Sequence, residues 1–197
     1  MEKKIMNKTE LAQRPCGQWV AVAFLTLLLA SCGADSDGAA EPSGELHACD
    51  IAPASEVSRI FGIPVSDATP SMESASGKNA FSQCSYKFDG GGMGLSVQIS
   101  RSGAKQEHSR QADADASRKK KDSLGIGEDV ANAIEAGTDI RGLGDIAYDF
   151  DDNGNYQQLV VYWNDYYQLA IISFGGSDAG NMAAARQALA RYIVDTL

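Results

Sequence analysis

Two alternating runs on either side of a glycine-rich turn constrain this chain more than any other feature. Cys84, Tyr86 and Phe88 alternate with polar residues, Asp89-Gly90-Gly91-Gly92 follows, and Met93, Leu95, Val97 and Ile99 then alternate with Gly94, Ser96, Gln98 and Ser100. Successive strand residues face opposite sides of a sheet, so the pattern predicts a hairpin with one buried face. Further strands are expected at 146–150, 157–163 and 166–174, the last two joined by a two-residue Asn164-Asp165 turn. Helical signals flank them. Pro53 suits a first turn, Val57, Ile60 and Phe61 recur at helical spacing, and Gly62 closes a short helix near 53–61. Residues 64–80 read as a loop. Residues 104–121 favour a helix that offers only alanines to a core and is therefore expected to be largely solvated. Met182, Ala185, Leu189, Tyr192, Ile193 and Thr196 form a stripe behind a Ser177 or Asp178 cap, which predicts a C-terminal helix lying across the sheet. Without regular βαβ spacing the expected class is α+β. It is an antiparallel sheet of about five or six strands packed by a C-terminal helix and a short N-terminal helix.

The chain carries 17 basic against 26 acidic side chains in 197 residues, a net charge of −9. A nucleic-acid binder needs a cationic face toward phosphate, so nucleic acid is excluded as the main partner. Lys3, Lys4, Lys8 and Arg14 precede an uncharged run from Trp19 to Ala30. About 12 such residues are too few to span a bilayer, which takes about 20, and match the core of an export signal. The run ends in Leu29-Ala30-Ser31-Cys32, which resembles the lipobox of bacterial lipoproteins. The resemblance implies cleavage before Cys32, which then carries a diacylglycerol and usually an N-acyl chain such as palmitate. Gly33 stands where an Asp would retain the protein, so in a cell with two membranes the implied destination is the periplasmic face of the outer membrane.

On this reading residues 1–31 are a signal peptide. Residues 32–47, the lipidated Cys and a small, polar stretch with no apolar period, form a flexible tether, and a single domain spans 48–197. The exported part keeps 13 basic and 24 acidic groups, so cations and basic protein surfaces are favoured as partners. Cys16 leaves with the signal and Cys32 is lipidated. Cys49 and Cys84 remain in an oxidising compartment and are expected to pair, a bridge worth about 4 kcal/mol by chain entropy. Neither a CxxC nor a histidine at ligand spacing supports a catalytic or metal-binding thiol.

A wider resemblance rests on Cys49-Asp50-Ile51, Glu56-Val57, Ile60-Phe61-Gly62, Cys84-Ser85-Tyr86 and Gly142-Leu143-Gly144-Asp145-Ile146-Ala147-Tyr148. In this order, ahead of a strand pair and an amphipathic helix, these segments resemble small bacterial envelope lipoproteins of unknown function, with Ile51 and Phe61 in place of the commoner leucines. The resemblance implies a disulfide-tied α+β domain and brings no activity to transfer.

Candidate chemistry is sparse. Asp149-x-Asp151-x-Asn153-Gly154-Asn155-x-Gln157 matches the first nine positions of an EF-hand loop, but position twelve is Val160 where a bidentate Glu is needed. The segment is read as a hairpin tip, with Asp149, Asp151 and Asn153 as weak calcium candidates. Arg118-Lys119-Lys120-Lys121 suits the C-terminus of a helix, Asp115 pairing with Lys119, against contact with anionic headgroups as the alternative. His47 is placed in the tether and His108 on the exposed helix. No Gly-x-Ser-x-Gly elbow accompanies them. Gly-Leu-Gly and Gly-Ile-Gly complete no nucleotide motif, so no cofactor is expected. Trp163, Val161 and Leu159 should face one side of their strand and Tyr162 the other.

The expected function is a lipid-anchored, non-enzymatic envelope module that binds a protein or small ligand through its sheet face or loops. An immunity or inhibitor lipoprotein neutralising an exported toxin is the second reading, and an enzyme of unrecognised type the third.

Overall fold

Pro53 holds extended backbone, and its carbonyl accepts hydrogen bonds from the amides of Glu56 and Val57, which starts helix α2, Ala54–Phe61. Val57 is wholly buried, and Gly62 ends the helix in the left-handed region (φ 68°) with its amide on the Ser58 carbonyl. A one-turn helix α1, Ala48–Ile51, precedes it. The structure, a computed structural model, describes residues 44–74, 76–90, 92–104, 107–119, 126–152, 156–175 and 179–197.

Among these residues seven strands form one antiparallel sheet: β1 Val65–Ser74, β2 Ala80–Phe88, β3 Gly94–Arg101, β4 Thr138–Asp139, β5 Ile146–Asp152, β6 Tyr156–Trp163 and β7 Tyr167–Phe174. Their order is β1-β2-β3-β7-β6-β5-β4. The chain lays down one meander, crosses through helices α3, Arg110–Lys119, and α4, Ile126–Ala136, then lays down a second whose last strand docks on β3 from Gly94↔Phe174 to Arg101↔Tyr167.

The expected α+β class and antiparallel sheet stand, with seven strands in place of five or six. Residues 64–80 are not a loop: β1 fills most of that segment. It is an edge strand, almost wholly exposed, with register shifts at Val65/Asp67 and Pro70/Met72, so it carries no alternation to read. Helix α4 was not expected, and the helix expected over 104–121 begins only at Arg110. The turn between β6 and β7 has three residues, since Trp163 pairs with Tyr167. Asn164 and Asp165 both take positive φ (53° and 60°), which short polar side chains tolerate.

One face of the sheet is built as read. Leu159, Val161 and Trp163 point into the main core with Leu95, Val97, Ile99, Leu169 and Ile171, and Leu189, Ala190 and Ile193 of helix α5, Ala179–Thr196, close it. The proposed Ser177 or Asp178 cap lies outside the described residues. Three alternate residues of β2 hold α1 to this face: Ser82 Oγ accepts from the Ala48 amide at 2.8 Å, Cys84 bonds Cys49, and the Tyr86 hydroxyl donates to the Ala52 carbonyl at 2.6 Å. The expected Cys49–Cys84 disulfide is therefore present, closing a separation of 35 residues. Packing begins before the expected boundary at 48. Leu46 is 2% exposed and the Gly44 carbonyl accepts from Arg101, so the last residues assigned to the tether belong to the domain. His47 sits between the carboxylates of Glu45 and Glu73, and these raise its pKa.

On the second face α3 and α4 cover β5 and β6 through a smaller core of Ala114, Ala131, Ile134, Tyr148, Phe150, Val160 and Tyr162. The Gly-Leu-Gly segment is a turn that sinks Leu143 into the main core. Gly144 (φ 61°) lies so close to β6 that a Cβ would stand 2.5 Å from the Tyr162 carbonyl oxygen.

Candidate functional site

The calcium candidates come first, because the structure gives one of them a different partner. Asp149 and Asp151 lie on β5, two residues apart and thus on one face of the sheet, opposite Leu159 and Gln157. From α5, Arg186 reaches that face at 2% exposure. Its Nη2 donates to both Asp149 carboxylate oxygens at 3.0 and 2.8 Å, and its Nη1 to Gln157 Oε1 at 2.7 Å and Ser173 Oγ at 2.9 Å. These four oxygens form a cation site, and the cation is the chain's own guanidinium. Burial raises the Asp149 pKa even against Arg186, as expected when desolvation outweighs pairing. Asp149 is thus a structural partner of Arg186 and not a free calcium ligand. Asp151 is exposed and accepts from Gln157, and Asn153 lies outside the described residues. Among the described residues no three His, Cys, Asp or Glu side chains stand in metal-binding geometry.

A second polar cluster, not anticipated from the sequence, fastens α3 to the sheet. Asp113 accepts hydrogen bonds from the hydroxyls of Tyr148 (2.6 Å) and Tyr162 (2.8 Å). Burial and the Asp113 carboxylate push both phenols above their usual range, so they stay protonated donors. The network continues outward, Gln168 donating to the Tyr162 hydroxyl at 3.0 Å and Ser100 to Gln168 at 3.4 Å. His108 is not on a helix. It precedes α3, half-buried, with its ring stacked on Tyr162 at 3.8 Å between centroids. The one sequence signal for this cluster was Tyr162 facing away from Trp163. Asp113, in a segment read as solvated, gave none.

The basic run acts differently from its expectation. Asp115 pairs with Arg118, not Lys119, and Arg118 also reaches Glu128 and Glu135 across the helix pair. Arg118 holds the Glu135 carboxyl down at about 2. Arg110 donates to the carbonyls of Ile134, Glu135 and Gly137, the last of α4 and the residue beyond it. Lys120 and Lys121 lie outside the described residues.

What remains open is the second face of β1, β2, β3 and β7, across which the described residues place no helix with more than marginal contact. The ladders set its side chains in rows. One row is Thr69, Ser85, Ser96 and Ile172, and the next is Met72, Gln83, Gln98 and Ala170, with Ser96 and Ala170 buried between their neighbours and the others at least partly exposed. A third row holds Ser74, Phe81, Ser100 and Gln168. Hydroxyls and amides dominate in a strongly acidic chain, and the charges near the turn end are the pair Lys87 and Asp67 at 3.8 Å. Two of the large apolar side chains most exposed to solvent, Met72 and Phe174, belong to this face.

Compared with known proteins, the chain matches no family model, no curated protein and no solved structure. Its chemistry therefore rests on the cavities. A wide cleft of about 850 Å³ lies between the start of α3 and the turn before β5, where Arg110 and Asp139 pair across its wall at 3.1 Å. A second, of about 460 Å³, lies over Asp149 and Arg186. A third, of about 310 Å³, opens where the third row of the bare face reaches His108. The first is lined in part by Arg110 and Glu135, and the second by Asp149, Gln157 and Arg186, groups already engaged in holding helices. The third continues the open face.

Proposed function

We propose that this protein is a lipid-anchored envelope lipoprotein whose domain is a non-enzymatic binding module, with the open face of β1, β2, β3 and β7 as its contact surface. The observation that carries the reading is the unequal covering of the sheet. One half is packed on both sides, while the other presents ordered rows of uncharged hydrogen-bonding groups flanked by exposed Met72 and Phe174. The anchor rests on Leu29-Ala30-Ser31-Cys32 after an uncharged run, as in the envelope lipoproteins that the chain resembles. None of the described helices is long and apolar enough to cross a membrane. Placement at the periplasmic face of an outer membrane follows from the Gly after Cys32 where such a membrane exists.

Two measurements test the proposal. Metabolic labelling with a palmitate analogue should mark the wild type and not Cys32→Ala, and an unlabelled wild type refutes the anchor. A photo-crosslinking residue at Gln98 in intact cells should capture a discrete partner, whereas one at Glu128, on the exposed side of α4, should not. Equal capture from both positions refutes the open face as the contact surface. A stoichiometric exported toxin captured at Gln98 assigns the inhibitor role.

A further inference from the structure

We propose that the helical hairpin of α3 and α4 is a cover that lifts from the sheet as one intact unit, with Asp113 as its latch. The motion concerns the covered half of the second face and does not depend on which surface meets a partner.

The bonds of the hairpin fall into two unequal groups. Those between its helices are numerous and mostly charged. Arg118 reaches Glu128 at 3.4 Å, Asn132 at 3.4 Å and Glu135 at 2.7 Å, Gln111 donates to Glu135 at 3.2 Å, and Arg110 donates to the carbonyls of Ile134 and Glu135. All of them stay made when the pair moves as a body. Those that hold it to the sheet are few. The hydroxyls of Tyr148 and Tyr162 donate to a single oxygen, Asp113 Oδ2. Among the described residues, the side chains that the hairpin buries fully are Ala114, Ala131 and Ile134, with Val130 and Ala133 half-buried beside them. Alanines bring little apolar area. Helix α5, by contrast, sinks Leu189, Ala190, Ile193 and Arg186 to 2% exposure or less.

The hairpin joins the sheet on one side through a single residue. Gly137 separates Ala136, the last of α4, from Thr138, the first of β4. Element-terminal residues of this kind absorb the dihedral changes of a hinge. Beside it Arg110 pairs with Asp139 at 3.1 Å, but the Asp139 side chain is 70% exposed, and such a pair restrains little.

What lies beneath gives the motion a consequence. Tyr148, Phe150, Val160 and Tyr162 are each 5% exposed or less. They continue the bare rows, since the ladders run from Ser96 through Ile172 and Gln158 to Phe150, and from Gln98 through Ala170 and Val160 to Tyr148. Lifting extends the bare surface from β1, β2, β3 and β7 onto β6 and β5, and adds to its uncharged groups the aromatic rings that protein interfaces favour.

The test uses the full-length protein in detergent micelles. Ala131→Cys on the inner side of α4 and Ala190→Cys on the inner side of α5 start from the same burial, 0%. Under native conditions a thiol reagent should label the first at least about a hundredfold faster than the second, which waits for the main core to open. It should also report openings at least about tenfold more frequent than hydrogen exchange of the α4 amides, because an intact helix keeps its own bonds as it lifts. Asp113→Ala should raise labelling at position 131 about thirtyfold. Equal labelling at 131 and 190 overturns the lifting. Openings equally frequent by thiol and by amide show that the helices melt, and overturn the intact unit. Unchanged labelling with Asp113→Ala overturns the latch. Should a cysteine variant fail to fold, nitration of Tyr148 and Tyr162 against Tyr86 in the wild type decides the lifting, since all three phenols are buried. Capture of a partner from Gln98 is unaffected by any of these outcomes, so the open-face reading stands or falls separately.

Discussion

The two halves of the sheet differ in how they are held. In the second meander β5 and β6 are packed on both faces, by the main core under α5 on one and by α3 and α4 on the other, and the fastenings are charged or charge-assisted: Arg186 with Asp149, and Asp113 with two tyrosines. The first meander, β1 to β3, has helices on one face alone and is fastened by a covalent bond, Cys49–Cys84, beside the Ala48–Ser82 and Tyr86–Ala52 hydrogen bonds. A half-sheet with one free face buries less apolar surface, and a crosslink offsets that deficit. The thinner half is also the half free to meet a ligand.

The largest effect should come from the doubly packed half. Arg186→Met leaves Asp149 buried without its cation, which costs about 3–5 kcal/mol. Chemical denaturation should show this loss, and Asp149→Leu in the same chain should restore much of it. On the open face, Gln98→Ala should change stability by less than about 0.5 kcal/mol. Comparable losses at the two positions would mean that the open face is packed after all.

Next in size is the crosslink. Replacing Cys49 and Cys84 together by Ser should cost about 4 kcal/mol. Hydrogen exchange should then quicken in β1 and β2 before β6. Uniform loss of protection would make the two meanders a single cooperative unit.

Asp113→Ala removes the acceptor of two buried hydroxyls and should cost about 2 kcal/mol, measured by thermal unfolding. Tyr148→Phe should cost less, because one partner stays paired. If both are silent, Asp113 does not fasten α3 to the sheet.

The smallest effects are exposed and pH-dependent. Glu135, held at about 2 by Arg118, adds support between α3 and α4 that is complete above the unfolded carboxyl value of about 4.5 and is lost as pH falls toward 2. A carboxyl titration of Glu135 should show that low midpoint, and salt should raise it. His47 has the opposite sign. Its pKa is raised by Glu45 and Glu73, so its support is present below about 6.5 and lost as pH rises through the folded value. Glu73→Gln should lower the His47 midpoint.

Which parts of this were legible in the sequence follows from where each signal sits. The β2–β3 hairpin, the core strands and α5 were readable because one face of each is buried and the other wet, which writes a period into the chain. Edge strand β1 has both faces exposed and so leaves no period. Helix α4 was hidden for another reason: Gly127 and Glu128-Asp129 lie at its start, where they resemble a turn as much as a first helical turn. The Arg186 contact had a signal that went unused. Arg186 stands three residues before Leu189 and seven before Ile193, inside the apolar stripe, and Asp149 shares a strand face with buried Ala147. A lone cation in one buried face and a lone carboxylate in another predict each other. The open face was invisible, because serine and glutamine on a strand look the same whether they face water or a ligand.

The junction of β3 with β7 carries a consequence for biogenesis. Gly94–Arg101 and Tyr167–Phe174 lie far apart in sequence, yet they form the seam that joins the two meanders. Synthesised from its N-terminus, the chain delivers β1, β2 and β3 first, together with both cysteines of the bridge. Until β7 arrives, β3 presents an unpaired edge bearing Leu95, Val97 and Ile99, the kind of edge on which neighbouring chains pair. Translation stalled before residue 167 should therefore yield an aggregating fragment, and chaperones should be needed most in the interval between the two halves.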